Sequence, residues 1–138
     1  MRVARIIAPQ RIEIFDEPIP VPGKGEILVR LEKVAICGSD LPYFRETYPD
    51  TSYPFSDGYP GHECIGTVEH ADSLGFSKGD LVLALPPSMD GFKEYHLLTH
   101  DRLMSMPRQK DTSVMLMTQL LGAVVHCCRR INDVWGRK

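Results

Sequence analysis

The stretch Gly61-His62-Glu63-Cys64-Ile65-Gly66-Thr67-Val68-Glu69 decides how this chain is read. It opens with an imidazole and a carboxylate, both able to bind a transition metal. It continues over 65–69 as a segment rich in β-branched residues, which predicts a strand. On the N-terminal side, residues 3–7 and 11–17 flank Ala8-Pro9-Gln10 as two strands flank a hairpin connection. The proline-rich run 18–23 cannot supply a regular hydrogen-bond ladder and is expected to be a crossing loop. In residues 26–36, Val29 and Leu31 alternate with Arg30 and Glu32, the pattern of a half-buried strand. Residues 43–60 hold Pro49, Pro54 and Pro60 with Phe44, Tyr48, Tyr53, Phe55 and Tyr59, and read as a long loop.

On the C-terminal side, residues 81–85, 92–98 and 103–106 are further strands. Several short strands punctuated by Gly and Pro argue for a closed or partly closed β architecture. The last quarter differs. From Asp111 or Thr112, a fitting N-cap, Met117, Leu120, Leu121, Val124, Val125 and Cys128 follow helical spacing. This helix is expected to end near Ile131, with a turn over 132–136. The division expected is a β domain over 1–110 and a linking helix and turn over 111–138. A chain that stops soon after a long helix leads us to expect more sequence downstream.

The bulk properties set limits. A length of 138 residues suits one domain with a real core. The 43% apolar and 25% charged fractions are those of an ordinary soluble protein. A net charge of -2 gives no electrostatic case for nucleic acid or anionic lipid. No stretch is expected to approach the roughly 18 apolar residues of a membrane span. The N-terminus opens on a strand-like segment containing Arg5, unlike a signal peptide. Cys37, Cys64, Cys127 and Cys128 show no disulfide spacing, so a reduced, cytoplasmic setting is expected, with neither nucleic acid nor membrane as partner.

Candidate chemistry centres on Cys37-Gly38-Ser39-Asp40 and His62-Glu63. Thiolate, imidazole and carboxylate all ligate zinc, and a catalytic zinc keeps one position open. Cys37 and His62 lie 25 residues apart and would meet only through the fold. Both are expected to follow strand-like segments, at a barrel rim. The residues alone leave alternatives open: a buried free Cys with a hydrogen-bonded His, a helix or turn cap for Asp40, and a plain turn residue for Ser39. His126, Cys127 and Cys128 are neighbours on a helix and face different directions, so Cys128 is expected in the core and the others at the surface. His70, His96 and His100 read as solvent-facing strand residues. The aromatics of 43–59 either line a substrate cleft or pack on one another.

Cys37-Gly38-Ser39-Asp40 and Gly61-His62-Glu63-x-x-Gly66 resemble the two zinc-site motifs of the medium-chain dehydrogenases. Pro22-Gly23-Lys24-Gly25-Glu26, Gly79-Asp80-Leu81-Val82 and Gly91-Phe92-x-Glu94-Tyr95 fit the same family, and His126-x-Cys128-Arg129-Arg130 resembles the linking helix of its polyol branch. The resemblance runs from about residue 1 to 136. It implies a mainly β, GroES-like, partly open barrel with short helices and a C-terminal linking helix. It also implies that Cys37, His62 and Glu63 bind zinc, that Asp40 orients the imidazole, and that Ser39 passes the substrate proton outward. The implied chemistry is hydride transfer between a small-molecule alcohol or polyol, or the matching carbonyl, and NAD or NADP. That cofactor would bind through a Rossmann domain absent here, since no G-x-G-x-x-G occurs. This chain alone is then expected to be inactive, and its full-length parent a homo-oligomer.

The pattern also has departures. Residues 85–91 run across the region where many relatives carry a four-cysteine lobe, so no structural zinc is expected. Gln119 stands where polyol relatives place a ligating or near-ligating Glu, and a neutral amide is a poor zinc donor. Pro42 stands where relatives often end the proton relay with a His. Asp72 replaces an expected Gly or Ala. Two rival readings remain: a GroES-like binding module without turnover, and a zinc-free quinone-reductase-like member, against which Cys37 and the His62-Glu63 pair argue.

Overall fold

The structure, a computed structural model, describes residues 1–48, 52–72, 75–108 and 111–135, with backbone alone at 132–135. Strands β1 (Arg2–Ala8) and β2 (Arg11–Asp16) form the expected hairpin, pairing Val3 with Phe15 and Ile6 with Ile12. The main sheet holds β3 (Ile27–Ala35), β4 (Glu63–Ala71), β5 (Leu81–Ala84), β6 (Tyr95–Leu98) and β7 (Leu103–Ser105). Its order is β6-β3-β4-β5-β7, and every neighbouring pair is antiparallel. Among the described residues β6 and β7 do not pair with each other, so the sheet stays open between them.

β4 is the axis of the fold, and its sequence explains why. Successive side chains of a strand point to opposite faces. Cys64 and Val68 enter the main core with Ile27, Val29, Leu31, Val82 and Leu98. Ile65 points the other way, into a smaller cluster with Leu83 and Met115. A strand covered on both faces loses the apolar/polar alternation of a half-exposed one. Complete burial of each such aliphatic side chain contributes about 1.5–3 kcal/mol.

Residues 92–94 join hairpin and sheet. Ala4 N–H donates to Phe92 O (2.9 Å), Glu94 N–H to Arg2 O (3.1 Å) and Leu31 N–H to Glu94 O (2.8 Å), with Val3 bridged to Lys93. The strand expected over 92–98 is therefore shorter, because its first residues strap two sheets together. The loop expected over 43–60 is also corrected at its start. A 3-10 turn (Gly38–Asp40) runs into α1 (Leu41–Arg45), which has Pro42 in its first turn, where proline's missing N–H costs nothing. Residues 49–51, Pro49 among them, lie outside the described part.

Helix α2 (Ser113–Trp135) begins where expected but runs past Ile131 into the place of the expected turn, whose Gly136 lies outside the described residues. Met115 alone of its described side chains is buried; Val114, Met117, Leu120, Leu121, Val124, Val125 and Ile131 are exposed. Cys127 and Cys128 are exposed too, which corrects the core position expected for Cys128. The apolar stripe reads as a core face only when something covers it, and nothing does among the described residues. The expectation about membrane-span length is corrected as well: the 19 residues Ser113–Ile131 are long and apolar enough by length and composition.

Candidate metal centre

Cys37 sits just past the end of β3, His62 just before β4, the strand paired with it, and Glu63 at the first position of β4. Ala35 is in register with Glu63, so the end of one strand and the beginning of the other bring the three residues together. One ligand atom from each of Cys37, His62 and Glu63 lies within 4.8 Å of the other two. His62 therefore precedes a strand, which corrects the expectation that it would follow one; only Cys37 does.

The imidazole is fixed from behind. His62 Nδ1 is 3.0 Å from Pro60 O and 3.4 Å from Asp40 Oδ1. Both neighbours accept, so Nδ1 carries the proton and the Nε2 lone pair is left for a ligand. His62 Nε2 lies 4.0 Å from Glu63 Oε1. Asp40 is 5% exposed, and its Oδ2 accepts the backbone N–H of Cys37 at 2.8 Å. The two sequence readings of Asp40, as cap and as imidazole neighbour, thus coexist in one carboxylate. Ser39 is exposed in the 3-10 turn between Cys37 and Asp40.

Glu63 has the least satisfied polar atom of the site. It is 3% exposed, and its Oε1 is buried with no hydrogen-bond partner. An unpaired buried carboxylate oxygen carries a large desolvation cost, and buried charges are ordinarily paired or bound to metal. Thiolate, imidazole and carboxylate are the donor types of a catalytic zinc with one position open. One thiolate and one carboxylate also neutralise a divalent ion.

Two interlocked backbones hold this turn. Gly91 N–H donates to Gly61 O (2.8 Å) and Phe92 N–H to Gly58 O (2.9 Å). A Cβ on Gly91 would stand 2.3 Å from Cys64 Sγ, so the contact admits only glycine. Burial pushes the Cys64 thiol up to about 12, and Cys64 is a core residue rather than a ligand.

The other candidates separate. His96 is 10% exposed in its side chain and hydrogen-bonded to Asp90, correcting its solvent-facing assignment. His100 lies in a 3-10 turn (His100–Arg102) against the Phe76 ring, not in a strand. His70 faces solvent as expected. Of the loop aromatics, Tyr43, Tyr53, Phe55 and Tyr59 pack on one another with ring centroids 5.0–5.9 Å apart. Phe44 instead lines an apolar cavity of about 210 Å³ beside Asp40, with Ile6, Ile36 and Leu41. Sequence reasoning missed the roles of Pro60 O and of the 90–92 segment, since a carbonyl and a glycine carry no residue-type signal for metal chemistry.

Comparison with known proteins bears on the same residues. Residues 23–108 match the family described as the alcohol dehydrogenase GroES-like domain. Acryloyl-coenzyme A reductase of Sulfurisphaera tokodaii is 36% identical over 88 residues, covering 62% of this chain and 25% of that protein. Sorbitol dehydrogenase of Macaca fascicularis is 39% identical over 66 residues, covering 48% of this chain and 18% of that protein. The solved structure of S. aureus TarJ in complex with NADPH superimposes with a TM-score of 0.77 at 30% identity, over 96% of this chain and 41% of that one. The chain thus spans a quarter or less of the length of these two curated relatives.

Proposed function

Because the chain belongs to the medium-chain zinc alcohol dehydrogenase family through its GroES-like domain, we propose that it is the catalytic, substrate-side domain of an oxidoreductase. The reaction would pass hydride between an alcohol or polyol and NAD or NADP. The observation that carries this reading is the buried, unpartnered Glu63 Oε1 converging with Cys37 and His62.

Cys37, His62 and Glu63 would hold the zinc, which when bound acts as a Lewis acid on the substrate oxygen. Pro60 O and Asp40 keep the His62 ring turned so that Nε2 faces the other two ligand groups. Ser39, exposed beside Cys37, would take the substrate's hydroxyl proton and release it to water, a route open at its position. This relay replaces one that Pro42 could not complete, since proline has no side-chain proton carrier. The nicotinamide is assigned to parts of the parent protein that these residues do not span. TarJ, the 30% identical neighbour, was solved with NADPH.

Metal analysis of the purified chain tests the reading. About one zinc per chain is expected, lost in Cys37→Ala and in His62→Ala. Zinc near zero in the unaltered chain overturns it. The parent enzyme assayed on alcohols, polyols and an acryloyl thioester then separates alcohol oxidation from the reaction named in the Sulfurisphaera relative.

A further inference from the structure

Asp90 lies outside the candidate ligand set and, apart from the Asp40–His62–Glu63 group at the metal centre, forms the most enclosed ionic cluster of the described residues. Its Oδ2 accepts from Lys93 Nζ at 2.6 Å and its Oδ1 faces His96 Nε2 at 2.9 Å. The side chains of Asp90, Lys93 and His96 are 17%, 15% and 10% exposed. Enclosing an ion pair carries a desolvation cost, and apolar side chains of equal volume often stabilise a fold as well. Whatever stability such a pair adds, its hydrogen bonds fix the geometry of the segment that carries it.

What it fixes is the segment behind His62. Asp90 ties the start of the 90–94 strap to Lys93 within it and to His96 on β6. Between these anchors, Gly91 and Phe92 make the two hydrogen bonds that hold Gly61 and Gly58. The approach is close: a Cβ on Gly58 would fall 2.3 Å from Asp90 O and 2.9 Å from Lys93 Cε. Pro60 lies inside the held segment, and its carbonyl is the nearest partner of His62 Nδ1. A shift of the strap therefore moves the acceptor that sets the direction of Nε2.

We infer that Asp90, with Lys93 and His96, is a positioning residue of the metal site, aiming the His62 imidazole through the 58–61 backbone. The inference rests on the metal reading proposed above. Loss of a group that orients a ligating histidine lowers metal affinity by about 10–100-fold. Asp90→Asn keeps size and one acceptor but removes the charge that binds Lys93.

The test compares zinc affinity, by competition with a chromophoric chelator, and the visible spectrum of the cobalt-substituted protein. Asp90→Asn is expected to weaken zinc about tenfold and to shift the cobalt bands. Glu69→Gln, which breaks a more exposed pair with Arg30 and Lys78 and leaves the Asp90–Lys93–His96 cluster intact, is expected to change neither. If Asp90→Asn melts earlier but binds zinc with unaltered affinity and spectrum, its role is merely structural and the inference falls. If Asp90→Asn fails to fold, Lys93→Met and His96→Gln decide: weaker zinc in these supports the inference, unaltered zinc overturns it. Absence of zinc binding by the unaltered chain would be a different failure, that of the metal reading itself.

Discussion

Asp40 Oδ2 accepts the backbone N–H of Cys37 at 2.8 Å, so a candidate ligand is fixed through its main chain by the carboxylate that also stands beside His62. Replacement separates the two roles. Asp40→Asn keeps an acceptor for Cys37 N–H, whereas Asp40→Ala leaves that partly buried donor unpaired, at about 1–3 kcal/mol. Urea denaturation of the metal-free protein is expected to show a clear loss for Ala and a smaller one for Asn. Zinc affinity is expected to fall for both. Equal stability of the two variants would remove the capping role.

Glu63→Gln is expected to move stability and metal binding in opposite directions. Without metal, the carboxylate keeps a buried oxygen unpaired, and a neutral amide is cheaper to bury, by about 1 kcal/mol or more. The variant should melt higher than the unaltered chain in chelator. In zinc the order should reverse, because a ligand that binds only the folded state stabilises it in proportion to its affinity. Thermal melts with and without zinc read both effects.

Gly66→Ala tests why the His62-Glu63 motif ends in a glycine. A Cβ at Gly66 would stand 2.5 Å from Arg30 O and 2.7 Å from Val29 Cγ1, so β3 and β4 would have to separate. A cost of about 1–3 kcal/mol is expected, read as a lowered melting temperature. A neutral substitution would mean that the strand pair yields there.

How far the sequence foretold this molecule depends on the range of its signals. Strand β3 was legible because Val29 and Leu31 alternate with Arg30 and Glu32, a local signal of one buried face, and β1 and β2 because they flank the hairpin connection Ala8-Pro9-Gln10. The meeting of Cys37, His62 and Glu63 was expected through motif resemblance, not spacing, since Cys37 and His62 come together only through β3–β4 pairing. α1 escaped because five residues, Pro42 among them, are too few to show helical periodicity. The Asp90–Lys93–His96 cluster escaped because each member looks like a single solvated charge until the strap encloses it. The fate of the α2 stripe was illegible for the opposite reason: its periodicity states that a face is apolar, and says nothing of what meets it.

Acid sensitivity should carry a mark of Asp90. Burial pushes its carboxyl up, but the hydrogen bonds and charges of His96 and Lys93 outweigh burial and hold it down at about 2, against an ordinary 3.8. A carboxylate depressed in the folded state contributes its full stability above the ordinary value, and that contribution is lost as pH falls toward 2. About 1–2 kcal/mol is expected from this group after allowing for its partial exposure. Denaturation of the unaltered chain and Asp90→Asn at pH 5, 3 and 2 should show their difference shrinking across that window. A difference independent of pH would contradict it.

Helix α2 holds to the sheet chiefly through Met115, with Leu116 packed beside it, while every described side chain from Leu120 onward is exposed. In proteins most of a helix's stability comes from tertiary packing of its apolar face. The chain should therefore keep two clocks in deuterated solvent. Amides of β3 and β4 are expected to exchange only on global unfolding, while those of α2 beyond Leu120 exchange by local opening, orders of magnitude sooner. Uniform protection along the helix would mean that its apolar stripe is covered in solution.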